Sequence, residues 1–239
     1  MIEIVKDKTE LKLWKGRDLY SVRILSLLNA YNCKYPFALF YKQVIDGKIV
    51  SIFSKLDGDV TIALSEKSDL FELSDFVQRC SFSSVLVDSK LKINSSFDEG
   101  IIMKSTKHFE PTKLGAEIDE YPRLMDLFNL IDYDSVDFET WYVDISHRIR
   151  HGSAKAFSLK VRGEMIASAI FSSIFGKYAI LSSVSTIPEF RRLGYGSFLV
   201  SNMVADFKGT VYLMREQDKN EEFYLKNGFI NIGEWRIYK

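Results

Sequence analysis

The sequence predicts an α/β (α+β) protein in two parts, a smaller N-terminal α/β domain at residues 1–110 and a second domain at 111–239. Two observations predict the class. Stretches with apolar residues at helical spacing alternate with short runs of β-branched and aromatic residues, and Asp-Gly pairs punctuate those runs as hairpin turns. A third predicts the division. Charge and proline at Thr106-Lys107-His108 and Glu110-Pro111-Thr112-Lys113 interrupt the pattern, which places a boundary at about residue 110.

In the first part, Leu19, Val22, Leu25 and Leu28 fall on one face of a helix. Runs at Pro36–Val44, Lys48–Lys55 and Val60–Leu64, separated by Asp46-Gly47 and Asp57-Gly58, read as an antiparallel meander. Residues 68–80 read as a second helix and Ser83–Val87 as a short strand, while Asn94-Ser95-Ser96 and Asp98-Glu99-Gly100 carry loop chemistry. The second part repeats this order. Helices are expected at Tyr121–Ile131 and Phe138–Ile149, then strands at Ala156–Val161, Met165–Ser172 and Tyr178–Ser185. Ile52-Phe53-Ser54, Gly58 and Ile62 recur 118 residues later as Ile170-Phe171-Ser172, Gly176 and Ile180, which suggests an internal duplication.

Composition narrows the function classes. Lysine plus arginine (32) equal aspartate plus glutamate (32), so no net field draws the chain to nucleic acid or an anionic membrane. At 46% hydrophobic and 14% aromatic, the chain has the makings of a packed core. Cys33 and Cys80 lack the spacing of a metal knuckle or redox pair and fit a reducing cytosol, so a disulfide between them is unfavoured and no metal is expected. The N-terminus is charged within three residues and carries no apolar run, which points to a cytoplasmic protein.

The chemistry concentrates between Val184 and Phe229. After a strand ending at Val184-Ser185-Thr186, the chain reads Ile187-Pro188-Glu189-Phe190-Arg191-Arg192-Leu193-Gly194-Tyr195-Gly196-Ser197. It then enters a helix whose apolar face is Phe198, Leu199, Met203, Val204 and Phe207, with Lys208-Gly209 as its stop. Free N–H groups at a helix start, the positive end of its dipole and glycines that admit close approach make a phosphate site. Arg191 and Arg192 add charge. These physical features accept any pyrophosphate-bearing ligand and do not distinguish among nucleotides.

The stretch from Thr186 to Gly196 resembles the signature of the GCN5-related N-acetyltransferases (GNAT), whose core is Arg/Gln-x-x-Gly-x-Gly/Ala. The following strand at Thr210–Arg215, a helix from Asp218, the phrase Phe223-Tyr224-Leu225-Lys226-Asn227-Gly228-Phe229 and a last strand through Ile237 keep the family's order. The resemblance implies a GNAT fold, a mixed and mostly antiparallel twisted sheet flanked by helices. It also implies acetyl-CoA (coenzyme A) as co-substrate, with Val184, Ser185 and Thr186 beside the pantetheine arm. Arg191, Arg192, Leu193, Gly194, Tyr195, Gly196 and Ser197 would then cradle the pyrophosphate.

The implied activity is N-acetyl transfer to a primary amine on a small-molecule or peptide acceptor, with no nucleic-acid or membrane partner. Tyr224 corresponds to the family's tyrosine beside the thioester sulfur, and a phenol can protonate a departing thiolate. Asp218-Lys219-Asn220-Glu221 has capping-box spacing for its helix, which Asn227-Gly228 would end. Unlike many relatives, the strand Tyr178–Ser185 carries no carboxylate to serve as base, and Glu216 is a substitute to which no role is assigned. The cluster His147-Arg148-Ile149-Arg150-His151 ends a helix bordering the region where similar enzymes bind the acceptor, which would suit an acidic acceptor, but helix-dipole stabilisation is the favoured explanation. Residues 1–110 read as a degenerate GNAT-like half, because Ser65-Glu66-Lys67-Ser68-Asp69 lacks the glycines and paired arginines. Two alternatives stand beside this: a non-catalytic coenzyme-A-binding or scaffold protein, and an aminoacyltransferase of the tandem kind that builds peptidoglycan bridges. The neutral charge and intact loop disfavour the latter.

Overall fold

In the computed structural model, residues 1–106, 114–131 and 136–239 are described. Unit 1 comprises Met1–Ile102 with Met214–Gln217 and Ile232–Lys239, and unit 2 comprises Met103–Leu213 with Asp218–Asn231.

Unit 1 opens with β1 (Ile2–Ile4) and α1 (Leu19–Tyr31). The Asp18 carboxylate accepts from Ser21 N at 2.9 Å and starts α1. The predicted face Leu19, Val22, Leu25 and Leu28 is buried, and so are Ile24 and Leu27, so the helix sits deeper than one apolar stripe requires. The meander follows as β2 (Ala38–Ile45), β3 (Lys48–Leu56) and β4 (Asp59–Leu64). Asp46 and Gly47 both take positive φ (49° and 70°), the geometry that makes Asp-Gly a tight hairpin turn. Next, α2 (Leu70–Arg79) leads to β5 (Ser84–Asp88), which pairs parallel to β4, and then to β6 (Phe97–Ser105). Phe53, Ile62, Leu73, Val85 and Val87 form the core beneath α2, and Tyr238 from the C-terminus completes it.

Unit 2 runs through β7 (Glu117–Asp119), α3 (Leu124–Ile131), α4 (Phe138–Arg150), β8 (Lys155–Val161), β9 (Glu164–Phe175) and β10 (Tyr178–Thr186). It continues with α5 (Tyr195–Phe207), the first part of β11 (Thr210–Glu216), α6 (Glu221–Lys226) and the start of β12 (Phe229–Tyr238), the rest of those two strands belonging to unit 1. Strands β7 to β10 pair antiparallel in order, and β11 pairs parallel to β10. Leu127, Ile145, Ala154, Ala156 and Ile170 form one core, and α5 buries Phe198, Leu199, Met203 and Val204. Among the described residues the fold is a mixed, mostly antiparallel α/β arrangement, as expected.

The suspected duplication falls on corresponding hairpins. Phe53 pairs with Ile62 in β3–β4, whereas in β9–β10 a register slip after Ile180 hands Phe171 to Leu181 instead. Each hairpin is followed by a helix and a parallel strand. Cys33 and Cys80 are free thiols. Among the described residues no helix is long and apolar enough to cross a membrane.

The boundary expected near residue 110 falls within 107–113, outside the described residues, and the units given above divide between Ile102 and Met103. Several other details differ from expectation. The last residues group with unit 1 because Trp235–Tyr238 pair with Val85–Asp88 and the Tyr238 hydroxyl donates to Leu91 O at 2.9 Å. Lys208 itself takes the left-handed cap after α5, with φ 51°, while Gly209 is needed because a Cβ there would lie 2.4 Å from Lys177 O.

Asp98-Glu99-Gly100 is strand and not loop. At Gly100 a Cβ would lie 2.2 Å from Arg215 O and 2.6 Å from the Trp235 ring. This glycine marks a close approach within a sheet, a use its composition alone does not distinguish from a turn. Gly100→Ala is therefore expected to lower unfolding free energy by about 1–3 kcal/mol in denaturant titration, an overpacking cost. An unchanged midpoint would show that the Trp235 contact yields freely.

Candidate functional site

The site begins where β10 leaves its parallel neighbour. Pairing with β11 runs from Tyr178↔Thr210 to Leu181↔Leu213 and stops, while β10 continues to Thr186. The register with β9 slips between Ser182 and Ser185, where Ser183 has φ 53°. A bulge of this kind bends a strand and turns its groups outward. Beyond Leu181 the described ladder with β11 ends, the arrangement an extended amide-bearing arm can exploit.

From Thr186 the chain makes a single helical turn at Pro188–Phe190 and reverses through two left-handed residues, Arg192 (φ 62°) and Gly194 (φ 88°). Arg191 Nε donates to Thr186 O at 2.8 Å, which fixes its guanidinium at the end of β10. Gly194 then serves as N-cap of α5 and has no side chain to offer. Phe198 N is the first amide to find a carbonyl, that of Gly194 at 2.9 Å. Among the described residues the amides of Tyr195, Gly196 and Ser197 have no partner, so the positive end of α5 is open. At Gly196 a Cβ would stand 3.3 Å from Thr186 Oγ1 and 3.5 Å from the Phe223 ring. A larger side chain would fill the space in front of those amides.

This space is a cleft of ≈ 870 Å³ whose walls are β10, the turn, the start of α5 and α6. Of the ten residues expected at a cofactor, it brings together Val184, Thr186, Arg191, Arg192, Gly194, Gly196 and Ser197. The side chains of the other three stand elsewhere. Ser185 donates to Leu130 O at 3.4 Å, Leu193 is 59% exposed, and the Tyr195 ring packs on Phe190 at 5.6 Å. Tyr224 lines the same cleft. Its ring is held edge-on by Phe223 (5.0 Å) and Phe229 (5.8 Å), and among the described residues its hydroxyl has no hydrogen-bond partner. Burial in this apolar setting pushes the phenol up to about 12, so it is a neutral donor at ordinary pH.

The helix that carries Tyr224 begins later than expected. Asp218 does not cap it, since α6 starts at Glu221 after Asn220 in the left-handed region (φ 59°), with no side-chain cap. The capping-box spacing is defeated by that left-handed residue, which brings the chain in by a turn. Gly228 ends α6 with φ 73°, as expected. Sequence reasoning passed over Asn227 as a mere terminator. It is 6% exposed, and its Nδ2 donates to Ser197 Oγ at 3.1 Å and to Phe223 O at 2.7 Å. Phe190, Phe223 and Lys226 also line the cleft.

The histidine and arginine cluster closes its own helix. Arg148 pairs with Asp144 and donates to Ser172 O at 2.8 Å, Arg150 Nε donates to Ser146 O at 3.2 Å, and His151 Nδ1 lies 2.8 Å from His147 O. None of its residues lines the cleft. Glu216 is exposed at the end of β11 and groups with unit 1.

Unit 1 has a cleft of its own, ≈ 660 Å³, beside the corresponding loop. There the start of α2 is closed: the Asp69 carboxylate accepts from Phe71 N at 3.1 Å and Glu72 N at 3.0 Å. Asp18, Glu66 and Asp88 line that cleft with Lys67 and Lys90, an unfavourable place for a pyrophosphate.

The profile of the acetyltransferase (GNAT) family matches residues 121–229. No curated protein matches the chain significantly. Among solved structures, a Drosophila protein is similar at TM-score 0.65 and 15% identity over 99% of this chain and 97% of its own. A GCN5-related N-acetyltransferase from Kribbella flavida is similar at TM-score 0.62 and 10% identity, covering 91% of this chain and 92% of its own. A tandem GNAT protein from the clavulanic acid biosynthesis pathway is similar at TM-score 0.60 and 8% identity, over 99% and 97%. At such identities the structural likeness is one of fold. The matched profile alone carries the family: residues 121–229, which hold the open glycine start of α5, belong to the acetyltransferase (GNAT) family, a family of acyltransferases.

Proposed function

We propose that unit 2 transfers an acetyl group from acetyl-CoA to a primary amine by direct attack, with Tyr224 as the acid. The observation that carries this is the uncapped start of α5 opening on the cleft that an unbonded, neutral phenol also enters. Acetyl-CoA supplies an acetyl group already activated as a thioester. The residues fit it. Free amides at 195–197 with Arg191 and Arg192 suit a pyrophosphate, Gly196 leaves the approach open, and the end of β10 beyond its described ladder with β11 suits a pantetheine arm.

In the transfer the amine nitrogen attacks the thioester carbonyl carbon, the C–S bond breaks, and the sulfur takes a proton from Tyr224. The surplus amine proton leaves to water, and the phenolate regains one from solvent. Holding the two reactants together supplies much of the rate. The acceptor is a small-molecule or peptide amine. Unit 1 takes no coenzyme in this account, because Asp69 occupies the anion position at α2. A coenzyme-binding protein without turnover is the second reading, favoured by the absence of a carboxylate from Tyr178–Ser185.

Steady-state assays over an amine panel separate the two. Tyr224→Phe is expected to lower kcat by roughly 10²-fold with the KM for acetyl-CoA little changed, the usual scale for loss of a general acid. Binding without turnover by the parent protein supports the second reading.

The phenol also sets a pH signature. With Tyr224 held near 12, kcat keeps its acid through pH 10, and a falling alkaline limb near pH 9 that Tyr224→Phe removes would contradict the assignment. Since the folded value lies above the free-phenol 10.0, its stability contribution is whole below pH 10 and is lost as pH rises through about 12.

A further inference from the structure

We infer that Asn227 is a positioning residue that turns the Ser197 hydroxyl into the cleft as a donor for a pyrophosphate oxygen, and so ties ligand binding at α5 to the helix carrying Tyr224. The inference rests on the acetyl-CoA reading above.

The Asn227 side-chain atom 2.7 Å from Phe223 O must be the amide nitrogen, because a carbonyl oxygen can only accept. That fixes the orientation of the carboxamide. The same nitrogen stands 3.1 Å from Ser197 Oγ, so Ser197 receives a hydrogen bond there. A serine hydroxyl has one proton, and among the described residues this one has no acceptor. Ser197 lines the cleft beside the free amides of α5, so its proton is available to an anionic oxygen bound there. Without Asn227 the hydroxyl could equally present a lone pair, which repels a phosphate.

The link is rigid at its far end. Asn227 N bonds back to Phe223 O at 3.2 Å and Tyr224 O at 3.1 Å, closing α6. Next to it, Gly228 O accepts from Thr106 N at 2.8 Å and Thr106 Oγ1 at 2.9 Å. Ser197 is therefore referenced to the same turn that holds the Tyr224 backbone. No pairing rule in the sequence connects residues 197 and 227, which is why the chain alone did not show it.

The test titrates coenzyme A, and separately pantetheine, which has the thiol arm without the pyrophosphate. The proteins are the parent, Ser197→Ala, Asn227→Ala and the double variant, with thermal unfolding as a check on folding. Each single variant is expected to weaken coenzyme A roughly 10-fold, as for one hydrogen bond to a charged group. The double variant should be no weaker than either single one, and pantetheine should be unaffected throughout. Additive losses, or an equal loss of pantetheine, would mean that Asn227 acts only as structural support. Should Asn227→Ala unfold, Ser197→Ala alone decides: parent-like affinity for coenzyme A overturns the inference. A parent that does not bind coenzyme A removes the acetyl-CoA reading and this inference together. A parent that binds, with variants that bind equally, overturns the inference alone.

Discussion

A helix that begins on a glycine has nothing with which to cap itself, and in this protein that deficit makes the site. Gly194 gives α5 its left-handed entry and leaves three amides unsatisfied, facing a cleft. Unpaired buried amides are costly, so such an end is stable only where water or a ligand reaches it. The rest of the site is arranged around that opening. The bulge at Ser183 bends β10, Arg191 is moored to Thr186, and Asn227 aligns Ser197 with α6.

The contrast within the chain makes the same point. Unit 1 repeats the hairpin, helix and parallel strand, and a cleft lies in the matching place. Its helix starts on Asp69, whose carboxylate supplies the anion that α2 would otherwise need. Gln43 reinforces the closure by accepting from Asp69 N at 3.1 Å and donating to Glu72 at 2.8 Å. One arrangement is capped in one half by its own carboxylate and left open in the other.

The regular elements were legible because their signals are local. Asp46-Gly47 specified its turn, and the apolar spacing of α1 and α5 specified their inner faces. That Arg191, Arg192, Gly194 and Gly196 gather at one cleft was legible because they are neighbours in sequence. What was missed depends on partners distant in sequence. Gly100 looks like a turn glycine until Arg215 and Trp235 are placed against it, and Asn227 looks like a terminator until Ser197 is brought to its amide. Asp218 misled because capping-box spacing says nothing of the left-handed Asn220 in between. The side chains of Ser185, Leu193 and Tyr195 do not line the cleft, in keeping with alternation along a strand and around a helix start, while the Tyr195 amide remains one of the three open ones.

The most direct measurement is a calorimetric titration of the whole chain with acetyl-CoA, beside a still-folded variant carrying Gly194→Asp and Gly196→Asp. The account predicts one molecule bound per chain by the parent and none by the variant, because side chains and negative charge would fill the cradle in front of α5. Binding that survives in the variant, a stoichiometry of two, or no binding by the parent would each contradict it.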